Sequence, residues 1–431
     1  MQRLRRMRTI HRIRDVVDWG LCVGCGACSY FCPKGAVRLT DIESLGIRPR
    51  FIDDICLNCN ECLTICPGYS VNALSGANGN KSSCDHHPLV GRSLEVWEGH
   101  ARDEELRHQA SSGGVLSALA AYCLEKEGMS LVLHTGMHPT KPWANRTVVS
   151  RHRHDILSHC GSRYAPASPC DSLASIEQSE KPCVFIGKPC DAAAVSLLRR
   201  KRPALDEKLG LVLTFFCAGT PCTQGTLDLV KRLAIPLEEV RHIRYRGNGW
   251  PGAFTVRYGS DGREKTLTYE ESWGSLERYR KSFRCHLCPD GLGELADISC
   301  GDAWHRYPDE KDRGRSIVIV RTERGRETIR KAAQAGYLEL DSSSAAEVVA
   351  AQGLVKRRSE IFGRLLAMKA LCVPIPRFTG FELGRSWRDT VLAVKLRSIL
   401  GTIKRLLVRG LWHKNPIADV HDDPRQRGPI P

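Results

Sequence analysis

The chain has 431 residues, 42% of them hydrophobic, with 20 cysteines and a formal net charge of +16. That length predicts two to four domains with ordinary cores, and apolar runs such as "LVLTFFCA" are too short to cross a bilayer. The charge sits at the ends, since residues 1–14 contribute +6 and residues 384–416 contribute +7; this excludes a broad nucleic-acid-binding face and points to basic segments that touch an acidic partner or anionic lipid.

The first fourteen residues carry six arginines and no acid, the composition of a transit peptide. Cys22 follows too closely to leave a segment for cleavage. A non-exported, cytoplasmic protein is expected, peripheral to a membrane at most. Cysteines in C-x2-C spacings without an export signal read as metal or redox ligands rather than as disulfides.

Residues 15–80 form the expected ferredoxin-like domain. It contains "CVGCGACSYFCP" and then "CLNCNECLTICP", both of the form C-x2-C-x2-C-x3-C-P. A short C-x2-C-x2-C loop wraps three corners of a 4Fe-4S cube, and the fourth cysteine of each run ligates the other cluster. One cluster is therefore assigned to Cys22, Cys25, Cys28 and Cys66, and the second to Cys56, Cys59, Cys62 and Cys32. Gly24 and Gly26 let backbone N–H groups approach the sulfurs. Zinc is the competing reading, but its sites seldom use three cysteines two apart followed by Cys-Pro. The module resembles bacterial dicluster ferredoxins, which implies one-electron transfer.

Residues 81–93 read as a polar linker. From 94 to 335, apolar strands alternate with helical stretches, an α/β signature with α+β elements and a mixed sheet. The segments 94–175 and 176–335 are taken as its two parts. In "SSGGVLSALA", Ser111, Ser112, Gly113 and Gly114 precede a helix, where they would either cradle a phosphate or simply cap the helix through Ser112. In "PCVFIGKPCDAAAVSLL" and "LVLTFFCAGTPCTQGTLDLV" a strand runs into a turn and then a helix. If these strands are parallel neighbours, Cys190 and Cys217 share the strand-end edge where open α/β sheets bind ligands. Cys285 and Cys288 would complete a third four-thiolate set; all four are otherwise buried structural thiols.

Several weaker candidates remain. Gly291–Ala296 fits GxGxxA but lacks a preceding strand and is rejected as a dinucleotide motif. His152, His154, His159 and Cys160 match no common zinc spacing and read as a solvated basic segment. Arg244, Arg246 and Trp250, in a stretch of expected antiparallel hairpins from Arg244 to Tyr269, can contact an anionic cofactor or merely shape a hairpin. Asp302 is a proton donor, a cofactor hydrogen-bond partner or a turn residue. Residues 336–380 are expected as a helical extension and 381–431 as a basic tail. Within the tail, Leu392, Leu396, Ile399, Ile403, Leu406 and Leu407 recur at helical spacing. That stripe either packs on the body, lies on an anionic membrane surface or meets a partner protein.

In order along the chain, "SSGGVLSAL", "GSRYAPA", "VFIGKPCDAAAV", "FFCAGTPC", "IRYRGNGWPG", "CHLCPDGLGELADISCGDAW" and "SIVIVRT" resemble the coenzyme F420 hydrogenase/dehydrogenase beta-subunit family, which includes a plant hydroxymethyl-chlorophyll reductase. The resemblance spans roughly residues 15–335. It implies FAD, iron–sulfur clusters and electron exchange with a deazaflavin or another acceptor. It also implies a flavin near Ser111, Ser112, Gly113 and Gly114, and a third cluster on Cys190, Cys217, Cys285 and Cys288. Three positions depart from the family pattern. Lys188 stands in "GKPC" where "GTPC" is commoner, and is either a charge beside the flavin or a surface lysine. Cys222 and Cys300 replace a serine and an apolar residue, so either can displace a named ligand. The expected function is an iron–sulfur flavoprotein oxidoreductase served by a redox partner protein or ferredoxin. The alternatives are a non-catalytic electron-transfer subunit of a larger complex and a zinc protein.

Overall fold

Runs that read as nearly continuous Val, Ile, Leu and Phe must be covered on both faces, and two such runs, "CVFIG" and "SIVIV", are buried at every residue. They belong to an eight-stranded sheet in the structure, a computed structural model that describes residues 8–76, 85–277, 281–307 and 312–416. Part of the expected linker, 81–84, and the end of the tail, 417–431, lie outside the described residues.

The sheet strands are β1 (Glu95–Ala101), β2 (Val132–Met137), β3 (Asn145–Ser150), β4 (Cys183–Gly187), β5 (Leu209–Phe215), β6 (Ile298–Asp302), β7 (Ser316–Val320) and β8 (Leu338–Ser342). Their spatial order is β8, β1, β7, β6, β5, β4, β2, β3. The central four, β6, β5, β4 and β2, run parallel, and antiparallel strands flank them on both sides. Helices α1 (Val115–Glu125), α2 (Pro189–Arg199) and α3 (Glu323–Gln334) cover the faces. Leu211 and Leu213 of β5 pack with Val115, Leu119 and Tyr122 of α1, and Val212 packs with Ala192, Val195 and Leu198 of α2. The stretch from Arg244 onward enters a separate three-stranded antiparallel sheet of Val240–Arg244, Phe254–Tyr258 and Arg263–Leu267.

The N-terminal module holds the helix Ile13–Asp18, the short helical turns Ala27–Phe31 and Glu61–Thr64, and the hairpin Val37–Ile42 with Gly46–Phe51. The body clasps its backbone. Ser168 Oγ donates to the Gly24 carbonyl at 2.6 Å, Cys170 N–H to the Cys25 carbonyl at 3.0 Å, and Ser282 Oγ to the Cys22 carbonyl at 2.9 Å. The C-terminal segment returns to the module as well, because Arg377–Thr379 runs parallel to Ser70–Asn72.

Residues 336–380 are not wholly helical. They open with β8, at the edge of the main sheet, then turn helical through α4 (Arg358–Ala370), and end in the short strand Arg377–Thr379. Beyond them lies α5 (Leu392–Val408), which packs along α4. The face it buries overlaps only in part with the leucine stripe that periodicity selects: of that stripe Leu406 is buried, Ile399 and Ile403 are half-buried, and Leu392, Leu396 and Leu407 are exposed. Its buried residues are Ser398, Thr402 and Leu406, because small side chains let the helices approach closely. A Cβ built on Gly363 of α4 would stand 2.3 Å from Ser398 Oγ.

Asp297, 3% exposed, ties the centre together. Its carboxylate accepts from Val212 N–H at 2.8 Å and Thr322 Oγ1 at 2.6 Å, and pairs with Arg324 at 3.2 Å. One side chain thus joins β5, the start of β6 and the cap of α3. Removing an acceptor with this many buried donors leaves them unsatisfied, so Asp297→Ala should cost about 3 kcal/mol. The expected readout is a lower thermal unfolding midpoint with the iron content unchanged.

Candidate functional site

The cysteines of the module gather as two crossed sets. Burial first, then the neighbouring thiols of Cys25, Cys22, Cys66 and Cys62, pushes the Cys28 thiol well above its ordinary range. Cys66 is raised in the same way by burial and by Cys25 and Cys22. Cys62 is pushed up to about 11 by burial and by Cys59, with smaller contributions from Cys32 and Cys56. Cys32, Cys56, Cys59 and Cys62 also line one small cavity. Cys66 therefore lies with the first run and Cys32 with the second. Thiols crowded in this way are costly as free groups and suited to metal-bound thiolates. Backbone donors already point at the sulfurs: Gly24 N–H at Cys22 Sγ (3.4 Å) and Ala36 N–H at Cys32 Sγ (3.3 Å). Gly24 has φ +70°, and a Cβ there would stand 2.6 Å from the Ile47 carbonyl oxygen, so only glycine fits. The outer set is the more accessible, with Cys59 exposed, while Cys25 and Cys66 are buried.

Cys190, Cys217, Cys285 and Cys288 line a second cavity between the module and the sheet. Parallel pairing of β4 and β5 brings the first two to one edge; the short helix Phe283–His286 supplies Cys285, and Cys288 follows just after it. Gly219 N–H points at Cys217 Sγ at 3.4 Å. Val23, between two cysteines of the first set, lines the same cavity. Among the described residues no three metal-ligating side chains close around a single ion; a cubane takes its four thiolates at four separate irons. Neither Cys222 nor Cys300 lines this cavity. Cys300 lies on β6, faces a larger cavity, and has its thiol pushed up to about 12 by burial.

That larger cavity, about 580 Å³, opens at the carboxyl edge of the parallel strands, within the size range of cofactor sites. Cys217, Gly219, Thr220, Leu354 and Arg357 line both cavities, so the two adjoin. Ser111, Ser112 and Gly114 line its wall at the start of α1. Ser112 does not cap the helix. Its hydroxyl donates to the Arg315 carbonyl at 3.1 Å, and Gly114 occupies the cap with φ +78°. Gly113 faces away, its α-carbon pressed against the Gly99 carbonyl and the Ser316 backbone. Lys188 also lines the cavity. It is not a surface residue: its Nζ lies 2.7 Å from Asp191 Oδ2 and donates to the Ala167 carbonyl at 2.9 Å. Burial alone would depress the ammonium, but Asp191 and the thiols of Cys190 and Cys217 outweigh it, and the group stays charged.

The minor candidates separate. Arg246 is at the cavity, but its guanidinium is spent on Asp302 (2.6 and 2.9 Å) and on the carbonyls of Pro251 and Ser111. Trp250 Nε1 donates to Asp302 at 2.9 Å, and Arg244 donates to the Gln109 carbonyl at 3.1 Å. Arg246 is thus not free to clamp an anion, and neither Arg244 nor Trp250 lines the cavity. His154 is exposed, whereas His159 and Cys160 line the cavity, so the four residues of that segment do not converge. Gly293 of the GxGxxA run makes a turn on Asp290, whose carboxylate accepts its N–H at 2.6 Å.

Two residues escaped the sequence reading. Asp191, fully buried, leaves Oδ1 without a partner at the cavity wall. Its signal was the third-residue position of α2, where it accepts from Lys188 N–H at 2.8 Å. His134, at the cavity, carries no motif; its Nε2 is 2.7 Å from Ser150 Oγ.

A module with two crossed four-cysteine sets, held against an α/β body, defines an iron–sulfur electron-transfer protein of the ferredoxin-carrying type. Residues 96–174 and 181–346 match the N-terminal and C-terminal parts described as coenzyme F420 hydrogenase/dehydrogenase, beta subunit, and residues 21–69 match a 4Fe-4S dicluster domain. The chain belongs to this coenzyme F420 hydrogenase/dehydrogenase beta-subunit family. Among its relatives, the coenzyme F420-dependent sulfite reductase of Methanocaldococcus jannaschii is 23% identical over 73% of this chain, and the match spans only 46% of that protein. The coenzyme F420 hydrogenase beta subunit of Methanococcus voltae is 27% identical over 56% of this chain and 81% of its own length. That of Methanosarcina barkeri is 26% identical over 58% and 83%. A chain of the F420-reducing NiFe hydrogenase complex from Methanosarcina barkeri shares the fold, with TM-score 0.52 and 22% identity over 66% of this chain and 94% of that one.

Burial holds the His134 imidazole down at about 3, against an ordinary value near 6.5, and His159 adds to the effect. The unfolded chain then binds this proton more readily than the folded one. The stability it contributes is full above pH 6.5 and falls as pH drops toward 3. His134→Gln should therefore flatten the fall in unfolding midpoint between pH 7 and pH 5, a share of about 2 kcal/mol.

Proposed function

We propose that this chain is the iron–sulfur and flavin-carrying subunit of an oxidoreductase, moving electrons between a redox partner protein and a deazaflavin or other organic acceptor. The observation that carries this reading is the unbroken succession of sites. A four-thiol set with exposed Cys59 adjoins one in which Cys25 and Cys66 are buried, Val23 links that second set to a third thiol-lined cavity, and Cys217 joins that cavity to the large one. Cys22, Cys25, Cys28 and Cys66 would hold one 4Fe-4S cluster, and Cys56, Cys59, Cys62 and Cys32 a second. Cys190, Cys217, Cys285 and Cys288 would hold a third. The large cavity would take FAD, with Ser111, Ser112 and Gly114 on one wall and the Lys188 ammonium on another.

When bound, these groups supply one-electron transfer and its pairing into two-electron chemistry. The chain's own residues set the conditions. The backbone N–H groups of Gly24, Ala36 and Gly219 stabilise negative charge on the sulfurs beside them. Lys188 places a buried positive charge where a reduced flavin would be anionic. The stacked pair Tyr269 and Trp304, 5.1 Å apart, and the Arg246–Asp302 ion pair form a rigid cavity wall. On this reading residues 15–80, 94–175 and 176–335 act as electron-entry, flavin and third-cluster segments, and the protein is cytoplasmic. The relatives named as subunits support a place within a larger complex.

Anaerobically purified protein should release flavin on denaturation and contain about twelve irons per chain. The Cys285→Ala, Cys288→Ala double variant should retain about eight irons and its flavin. Unchanged iron would overturn the third set, and well-folded, fully metallated protein without flavin would overturn the flavoprotein reading.

A further inference from the structure

Neither charged end of the chain supplies a thiol to the cluster sites, and the fold brings the described parts of those ends together. Arg8 donates to the Trp412 carbonyl and stands 5.6 Å over the Trp19 ring. Lys414 pairs with Asp15 at 2.6 Å, and Asn415 N–H donates to the Asp18 carbonyl at 3.0 Å. Leu411 is buried against Gly20. The described parts of the two basic segments, residues 8–14 and 384–416, therefore meet.

From this junction α5 extends with an apolar stripe that the body does not cover. Leu392, Leu396, Leu400 and Leu407 are 69, 50, 62 and 56% exposed, and Val408 and Trp412 are exposed beside them. At about 100° per residue, these four leucines and Ile403 fall within an arc of about 80°. Ser398, Thr402 and Leu406, which pack on α4, lie on one flank of that arc. The exposed bases Arg397 and Lys404 lie on the other.

We propose that this stripe docks the protein flat on an anionic lipid surface, with the leucines at the acyl boundary and Arg397, Lys404, Arg8 and Arg12 among the headgroups. Charge selects this occupant. A second copy would set one strongly basic surface against another. A lipid interface instead fits a stripe one helix wide, bordered by bases and ended by an exposed tryptophan. Among the described residues no helix is long and apolar enough to cross a membrane, so α5 would lie on the surface. Arg12, Ile13 and Arg14, beside the junction, also line the cavity of the outer thiol set. Docking would hold that set at the lipid end of the molecule.

The test uses the intact, metallated chain and sedimentation with vesicles of phosphatidylcholine, with or without about one-third phosphatidylglycerol. The protein should pellet with the anionic vesicles only, and added salt should release it. Leu392→Ser, Leu396→Ser, Leu400→Ser and, separately, Arg397→Gln, Lys404→Gln should each weaken binding by about tenfold or more. All these side chains are exposed, so iron content and unfolding midpoint should not change. Wild-type protein left in the supernatant, or a triple variant that still pellets, would overturn the proposal. So would a wild-type dimer that the triple variant turns into monomer without any vesicle binding.

Discussion

Parallel pairing of β4 with β5 sets the positions on which the site depends. Ile186 lies opposite Leu213 and Gly187 opposite Thr214, whose hydroxyl donates to the Gly187 carbonyl at 2.7 Å. Both strands end at this level, so Lys188 and Cys190 leave one and Cys217 leaves the other at a single edge. A slip of one residue would reverse every side chain of a strand across the sheet. It would turn Leu213 away from α1 and carry Cys217 off the shared wall. Gly187 allows α2 to start at once, since a Cβ there would stand 2.8 Å from the Cβ of Asp191.

The same edge receives the N-terminal module, whose attachment is mainly polar and directed at backbone. Arg284, 2% exposed, donates to the carbonyls of Pro67 and Gly68 at 3.0 and 3.3 Å, one residue before Cys285. The helix that supplies Cys285 therefore also grips the module. Beneath it, Phe283 and Leu287 share a core with Trp19, Leu21, Met368 and Leu406. Module, thiol pair and C-terminal helices form one packed unit, so spacing between the thiol sets is fixed by a core and not by a linker.

Legibility in the sequence followed the range of each constraint. The dicluster ferredoxin domain could be read because its cysteine spacing is local and repeated. The strands "CVFIG" and "LVLTF" could be read because burial on both faces leaves continuous apolar runs ended by turn residues. Sheet order could not be read, since nothing near Glu95 or Leu338 records that β1 and β8 pair with each other. Arg246 looked like an anion clamp because its appetite for oxygen is visible in sequence, whereas its partner Asp302 is 56 residues away. The buried face of α5 was legible only in Leu406, for a related reason. Periodicity ranks faces by hydrophobicity, but close helix packing at Gly363 selected the small residues Ser398 and Thr402.

The graded burial of the cysteines has a chemical consequence outside electron transfer. An oxidant diffusing in from solvent meets Cys59 first, then its half-buried neighbours, and only then Cys25 and Cys66 behind the module's core. Exposed thiolates climb the oxidation ladder soonest. Aerial damage would therefore be ordered in space within the module, beginning at Cys59 and reaching Cys25 and Cys66 last.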